Sequence, residues 1–271
     1  MDAPDTSAHL APQLTPRGHL LAVAQHDAAP LADDLRQTLA LSFALGSGHG
    51  LLQLGSTQVG CVLPPAWAWW RDVAVRYVTA VCATPEGGDL AVATPSADEF
   101  TQRIADAPPM TGAEYLTPDV LAALWQQIDA ALRQELAAAQ VPLQDFLKAR
   151  HPAWNLVGRV HFNLAENRRD AEAPFAFLAT YSARLSAQGK AQHQPLSQAL
   201  AEFSGSRSRA QLLSLLLPVQ RAAEHCDWLH EMVEAGDIYH PLRWTAAEAY
   251  EFLTDMPQLE AAGIIVRAPG A

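Results

Sequence analysis

The chain has 271 residues, 49% of them hydrophobic, and a formal charge of −11. That length and apolar content support a folded core in one large or two modest domains and exclude a disordered tail. The acidic total excludes a general nucleic-acid coat, yet the charge is segregated: 6 Lys/Arg stand against 16 Asp/Glu over residues 1–147, 10 against 4 over 148–221, and 2 against 9 over 222–271.

In chain order, the first dozen residues read as loose. A strand is expected over 19–24, then a helix in which Leu31, Leu35, Leu39 and Phe43 recur four apart, ended by Gly46-Ser47-Gly48-His49-Gly50. A further strand is expected over 51–59. Pro64-Pro65 suits a helix start, after which Trp67, Trp70, Ala74, Tyr77 and Val81 keep to one face. Residues 85–109 hold prolines, glycines and acids with one short periodic piece at 100–104, and read as a linker or surface excursion. Thr117 is an N-cap with Pro118 at the first helical position, and Leu121, Leu124, Ile128, Leu132 and Leu136 carry that helix to about Ala139. A short helix over 143–150 ends before Pro152.

Val160, Phe162 and Leu164 alternate before a charged turn at 166–170, and a β-rich run over 175–181 follows, which predicts two antiparallel strands. Helices are expected over 195–203, over 209–217, and from Pro218 to about Ala235, where Gly236 caps the last. Thr245 and Glu248 form a capping box opening a helix to Leu253. Ile264-Ile265-Val266 reads as a final strand, either at a sheet edge that promotes self-association or tucked against that helix. The expected class is α+β, helix-dominated, with a small mixed or antiparallel sheet. The expected division is an N-terminal α/β lobe over 1–110, ending in the proline-rich linker, and an α+β region over 111–271.

The residues offer little catalytic chemistry. Gly46 to Gly50 could cradle a phosphate through backbone amides, but it lacks the Gly-Lys-Ser/Thr of a Walker A loop and reads as a turn. Cys226 and His230 stand four apart with His225 alongside, half of a metal site without a partner pair, and read as a buried thiol beside surface histidines. Cys61 and Cys82 also read as buried thiols, the three being too few and too far apart for a disulfide framework. Glu166, Asp170 and Glu172 are interrupted by Arg168 and Arg169, which fits a solvated turn. Neither G-x-S-x-G nor H-E-x-x-H occurs. The chain alone is therefore expected not to be an enzyme, and to hold no metal or cofactor. Without a signal sequence or a run of about 18 apolar residues, it is expected to be cytoplasmic and free of membrane partners.

The basic set Lys148, Arg150, Arg159, Arg168, Arg169, Arg184, Lys190, Arg207 and Arg209 is the candidate nucleic-acid face, since Lys and Arg contacts to phosphate supply most sequence-independent DNA affinity. Its alternatives are a solvated face or a clasp onto the acidic C-terminal helices. Trp154, beside Lys148, Arg150 and His151, is either a base-stacking aromatic or a core anchor.

Long runs also carry a family resemblance. AEAPFAFLATYSARLSAQGKAQHQPLSQAL, LLSLLLPVQRAAE and PLRWTAAEAYEFLTDMPQLEAAGIIVR resemble the N-terminal, helicase-associated region ahead of the motor in bacterial SWI/SNF-type (DEAD/DEAH-box-like) ATP-dependent helicases. VLPPAWAWWRDVAVRYVTAVCATP, PPMTGAEYLTPDVLAALW and QDFLKARHPAWNLVGRVHFNLAENRRD look like the same family, so the resemblance covers nearly the whole chain and is weakest before about Gly50. It implies a non-catalytic accessory region of a SWI/SNF-like DNA translocase that docks the motor domains, in cis or in trans, or contacts double-stranded DNA. ATP and Mg²⁺ are implied only for the motor, whose Walker A, DExH-type motif and arginine fingers have no counterpart here. A fold that continues into the motor also implies truncation at the C-terminus. The alternative is a protein–protein interaction module that never touches nucleic acid.

Overall fold

Leu10, Pro12 and Leu14, buried at every second position, make a strand of a stretch whose Ala, Pro and polar content reads as loose. In the computed structural model, which describes residues 8–84, 89–205 and 209–270 (side chains of 209 and 210 excepted), β1 (His9–Leu14) pairs antiparallel with β2 (Leu20–Gln25). The class is α+β and helix-dominated, as expected, with ten α-helices and two small sheets among the described residues.

The described residues divide into two compact units: 8–81, 91–152 and 187–189 in the first, and 82–84, 89–90, 153–186, 190–205 and 209–270 in the second. Residues 111–152, which the sequence joins to the C-terminal region, thus lie in the first unit. There α1 (Asp33–Ala44) is followed by α2 (Ser47–Thr57), where a turn and a strand are expected. Small residues explain the difference, since a helix whose face is glycine can approach its neighbours more closely than any strand pattern requires. A Cβ at Gly48 would sit 2.1 Å from the Gln127 carbonyl oxygen, and one at Gly55 2.5 Å from the Ala74 Cβ.

α3 (Pro65–Cys82) buries Trp67, Trp70, Ala74, Tyr77 and Val81, the face predicted for it. Within the expected linker, α4 (Ala97–Ala105) is a full helix with a Ser96–Glu99 capping box, and its buried Phe100 meets Trp125 edge-on at 6.3 Å. Residues 85–88 of that linker lie outside the described set. α5 (Pro118–Ala139) and α6 (Leu143–Arg150) form as predicted, with the Thr117 hydroxyl accepting the Val120 N–H at 3.2 Å.

The second unit is built on a sheet in the order β5–β4–β3–β7, with β6 also on β4. β3 (Arg159–Glu166) and β4 (Phe175–Leu185) pair antiparallel as expected, Val160 opposite Tyr181 and Leu164 opposite Phe177. β5 (Ala191–Pro195) and β6 (Leu242–Trp244) had no predicted counterpart. β7 (Ile265–Arg267) runs parallel to β3 at the sheet's edge, the first of the two placements expected for it.

α7 (Leu196–Phe203), α8 (Arg209–Ala223), α9 (Asp227–Ala235) and α10 (Ala246–Ala261) cover one sheet face, burying Phe162, Phe177, Tyr181, Phe203 and Phe252 in one core. Two boundaries differ from expectation. Pro218 lies inside α8 rather than starting a helix, and the break falls at Glu224–Cys226 instead. α10 likewise continues through Pro257. The Gly236 cap is as predicted, with φ of 79°.

Candidate interaction sites

The described residues of the expected basic face are divided between the two units. Lys148 and Arg150 belong to the first unit, and Arg159, Arg168, Arg169, Arg184 and Lys190 to the second. Arg150 is committed internally: it pairs with Glu135, donates to the Ser56 Oγ at 3.0 Å and lies 4.5 Å over the Phe146 ring. Glu135 also bonds His49 Nδ1 at 2.7 Å. This network ties α2, α5 and α6 together, and it takes up the glycine-rich run weighed above as a phosphate cradle. Gly48 and Gly50 are buried in α2, and the Ser47 hydroxyl both accepts from the Leu20 amide and donates to its carbonyl, each at 3.0 Å.

In the second unit Arg159 donates from Nε to the Gly263 carbonyl at 3.1 Å, locking β3 to the turn before β7. Trp154 is 1% exposed and has no ring face to offer a base, so it is the core anchor. Arg207 and the Arg209 side chain lie outside the described residues. Of the expected set, Lys148 is exposed on α6 in the first unit, and in the second unit exposed cations remain at two places. Arg168 and Arg169 sit in the β3–β4 turn, Arg168 89% exposed with only a solvent-facing pair to Glu166. Arg184 and Lys190 lie near the other end of β4, about 33 Å away along an 11-residue strand.

Cys82 and Cys226 are buried as expected, and burial pushes their thiols up to about 12 and about 11. Cys61 is exposed instead. Cys226 is the N-cap of α9 rather than a helical neighbour of His225, and His230 pairs with Glu234 at 3.3 Å. Among the described residues no group of three or more His, Cys, Asp or Glu could hold a metal ion.

Two constellations escape sequence reading. The first is polar and lies on the sheet face opposite the helices. His161 Nε2–H donates to the Leu156 carbonyl at 3.1 Å, leaving its buried Nδ1 without a hydrogen-bond partner among the described residues, and its ring meets His193 edge-on at 4.5 Å. Asn163 Nδ2 donates to the Leu178 carbonyl at 2.9 Å on the same face. Burial, with the charges of His193, Arg267 and Arg159 adding to it, pushes His161 down to about 4 against the partial support of the Leu156 carbonyl.

The second is a cavity of about 500 Å³ between α9, β6 and α10. Trp228, Met232, Leu242 and Trp244 give it apolar walls, and Glu231, Asp237, Glu248 and Glu251 give it carboxylates. Trp244 is stacked on Phe177 at 4.3 Å and meets Trp228 edge-on at 5.8 Å, while Trp228 is anchored by donating to Asp255 at 2.8 Å. The helical spacing of Trp228 with Glu231, and of Glu248 with Glu251, is visible in the sequence. That β6 brings Trp244 between them is not.

By architecture this is an α+β, helix-dominated protein whose second unit backs a five-stranded mixed sheet with helices on one face. No protein-family model, no curated protein and no solved structure matches the chain. Among the described residues, no helix is long and apolar enough to cross a membrane.

Proposed function

We propose that the chain is a non-catalytic accessory region of a SWI/SNF-like ATP-dependent DNA translocase, contacting the DNA backbone through the β3–β4 turn. The observation that carries this reading is the exposure of Arg168 and Arg169 at that turn once Arg150 and Arg159 are taken up by internal bonds. The sequence resemblance supplies the translocase, whose motor binds ATP and Mg²⁺. Two arginines at a hairpin tip give weak, sequence-indifferent affinity that falls as salt rises.

In a gel-shift titration, replacing Arg168 and Arg169 together by Glu is expected to weaken duplex binding at least about tenfold and to flatten the log–log salt slope by roughly 2. An unchanged shift removes these side chains from the DNA. The purified chain is also expected to hydrolyse no ATP, with or without DNA. Turnover that survives repurification and tracks the protein peak would overturn the non-catalytic reading.

A protein–protein module without nucleic-acid contact is the second reading, favoured by the carboxylate-bearing cavity, whose charge repels phosphate. Loss of all duplex binding at every salt concentration would select it.

A further inference from the structure

The geometry points to the cavity between α9, β6 and α10 as a docking site for an arginine side chain on an extended segment of a protein partner. The site is separate from the β3–β4 turn arginines, so its test stands or falls without the DNA reading.

Charge comes first. Four carboxylates line the cavity against one cation, Arg243, and Arg243 is already paired with Asp170 at 2.6 Å. Glu248 is bound into the α10 capping box through Thr245. Glu231, Asp237 and Glu251 make no ion pair among the described residues, and all three are exposed. Carboxylates on adjacent helices facing one cavity repel each other, and an incoming cation relieves that repulsion. An anion or a nucleic-acid phosphate would add to it.

Shape selects among cations. A bare ammonium or metal ion needs only oxygen ligands, whereas these walls include Trp228, Met232, Leu242 and Trp244. A long side chain with an apolar stem and a charged head satisfies both parts, the stem lying on the aromatic and aliphatic wall while the head reaches the carboxylates. The planar guanidinium does this better than lysine, because it stacks on indole and forks two hydrogen bonds to one carboxylate. Trp228 is half-buried, so part of its ring remains available, and its bond to Asp255 holds it in place. Preorganisation of this kind lowers the ordering cost of binding. The volume falls within the about 300–1,000 Å³ of ligand-holding clefts and leaves room for backbone on either side of one arginine.

The test uses the full chain labelled at tryptophan indole nitrogens and the peptides acetyl-Ala-Arg-Ala-amide and acetyl-Ala-norleucine-Ala-amide. The arginine peptide is expected to shift the Trp228 indole resonance saturably, the norleucine peptide to shift it at least about fivefold less at equal concentration, and added salt to weaken the effect. Replacing Glu231 and Glu251 together by Gln, both at exposed positions and so without effect on the unfolding midpoint, is expected to weaken the arginine peptide about tenfold. Three results overturn the proposal: equal shifts from both peptides, which mark a purely apolar groove; an affinity unchanged in the double variant; or a Trp228 resonance moved by a DNA duplex and not by the arginine peptide.

Discussion

Gly48→Ala is expected to lower the unfolding free energy by about 3 kcal/mol, although an alanine in place of glycine stabilises an unconstrained helix by up to about 1 kcal/mol. The two effects have opposite signs, so the measurement decides between local propensity and packing. The added Cβ would lie 2.1 Å from the Gln127 carbonyl oxygen and 2.5 Å from its carbonyl carbon. These are backbone atoms inside α5, which cannot rotate away as a side-chain tip could, so α2 must move as a body. Movement of α2 also lengthens the bonds from Ser47 to Leu20 and from His49 to Glu135. Gly205→Ala, where an added Cβ meets nothing within 4 Å among the described residues, is the control and is expected to stay within about 0.5 kcal/mol of the parent. Denaturant titration of the three proteins gives the comparison, and a stabilised Gly48→Ala chain would mean that α2 and α5 are not packed as described.

Acid is expected to destabilise the fold through His161. Its folded-state value is depressed to about 4 from an ordinary 6.5, so the unfolded chain takes up the proton first as pH falls. The contribution is fully present above pH 6.5 and is lost as pH falls toward 4. It amounts to about 2 kcal/mol between pH 7.5 and 5, and about 3 kcal/mol in full. The cause is physical and local: a residue with no exposed surface, one ring nitrogen bonded to a carbonyl, the other without a hydrogen-bond partner among the described residues, and a second histidine ring packed edge-on with it. Carboxylates that lose native partners in acid add to the slope, so the informative quantity is the difference from His161→Phe. That variant is expected to show a pH dependence between 7.5 and 5 shallower by about 2 kcal/mol. Equal slopes would place His161 in contact with solvent.

The sequence by itself determined the α+β class, the helices α3, α5 and α6, the β3–β4 pair, the terminal strand and the α10 capping box, because each depends on residues within one or two turns of each other. Apolar residues three or four apart need only their own helix to declare a buried face, and Thr245 with Glu248 needs only the turn it closes. What the tertiary structure decided is wherever a residue's role depends on a partner far along the chain. Gly48 and Gly50 read as a turn, because nothing local says that α5 and Phe43 lie where their side chains would have been. Pro218 reads as a helix start and Leu253 as a helix end, yet α8 runs through Pro218 and α10 continues past Leu253 through Pro257, since tertiary packing outweighs the loss of one backbone bond. Arg150 and Arg159 count as free cations in a sequence, and only folding supplies Glu135 and the Gly263 carbonyl that engage them. The cavity at Trp228 and Trp244 has the same origin, for its two indoles are brought together by a three-residue strand, β6, too short to leave a periodic signal of its own.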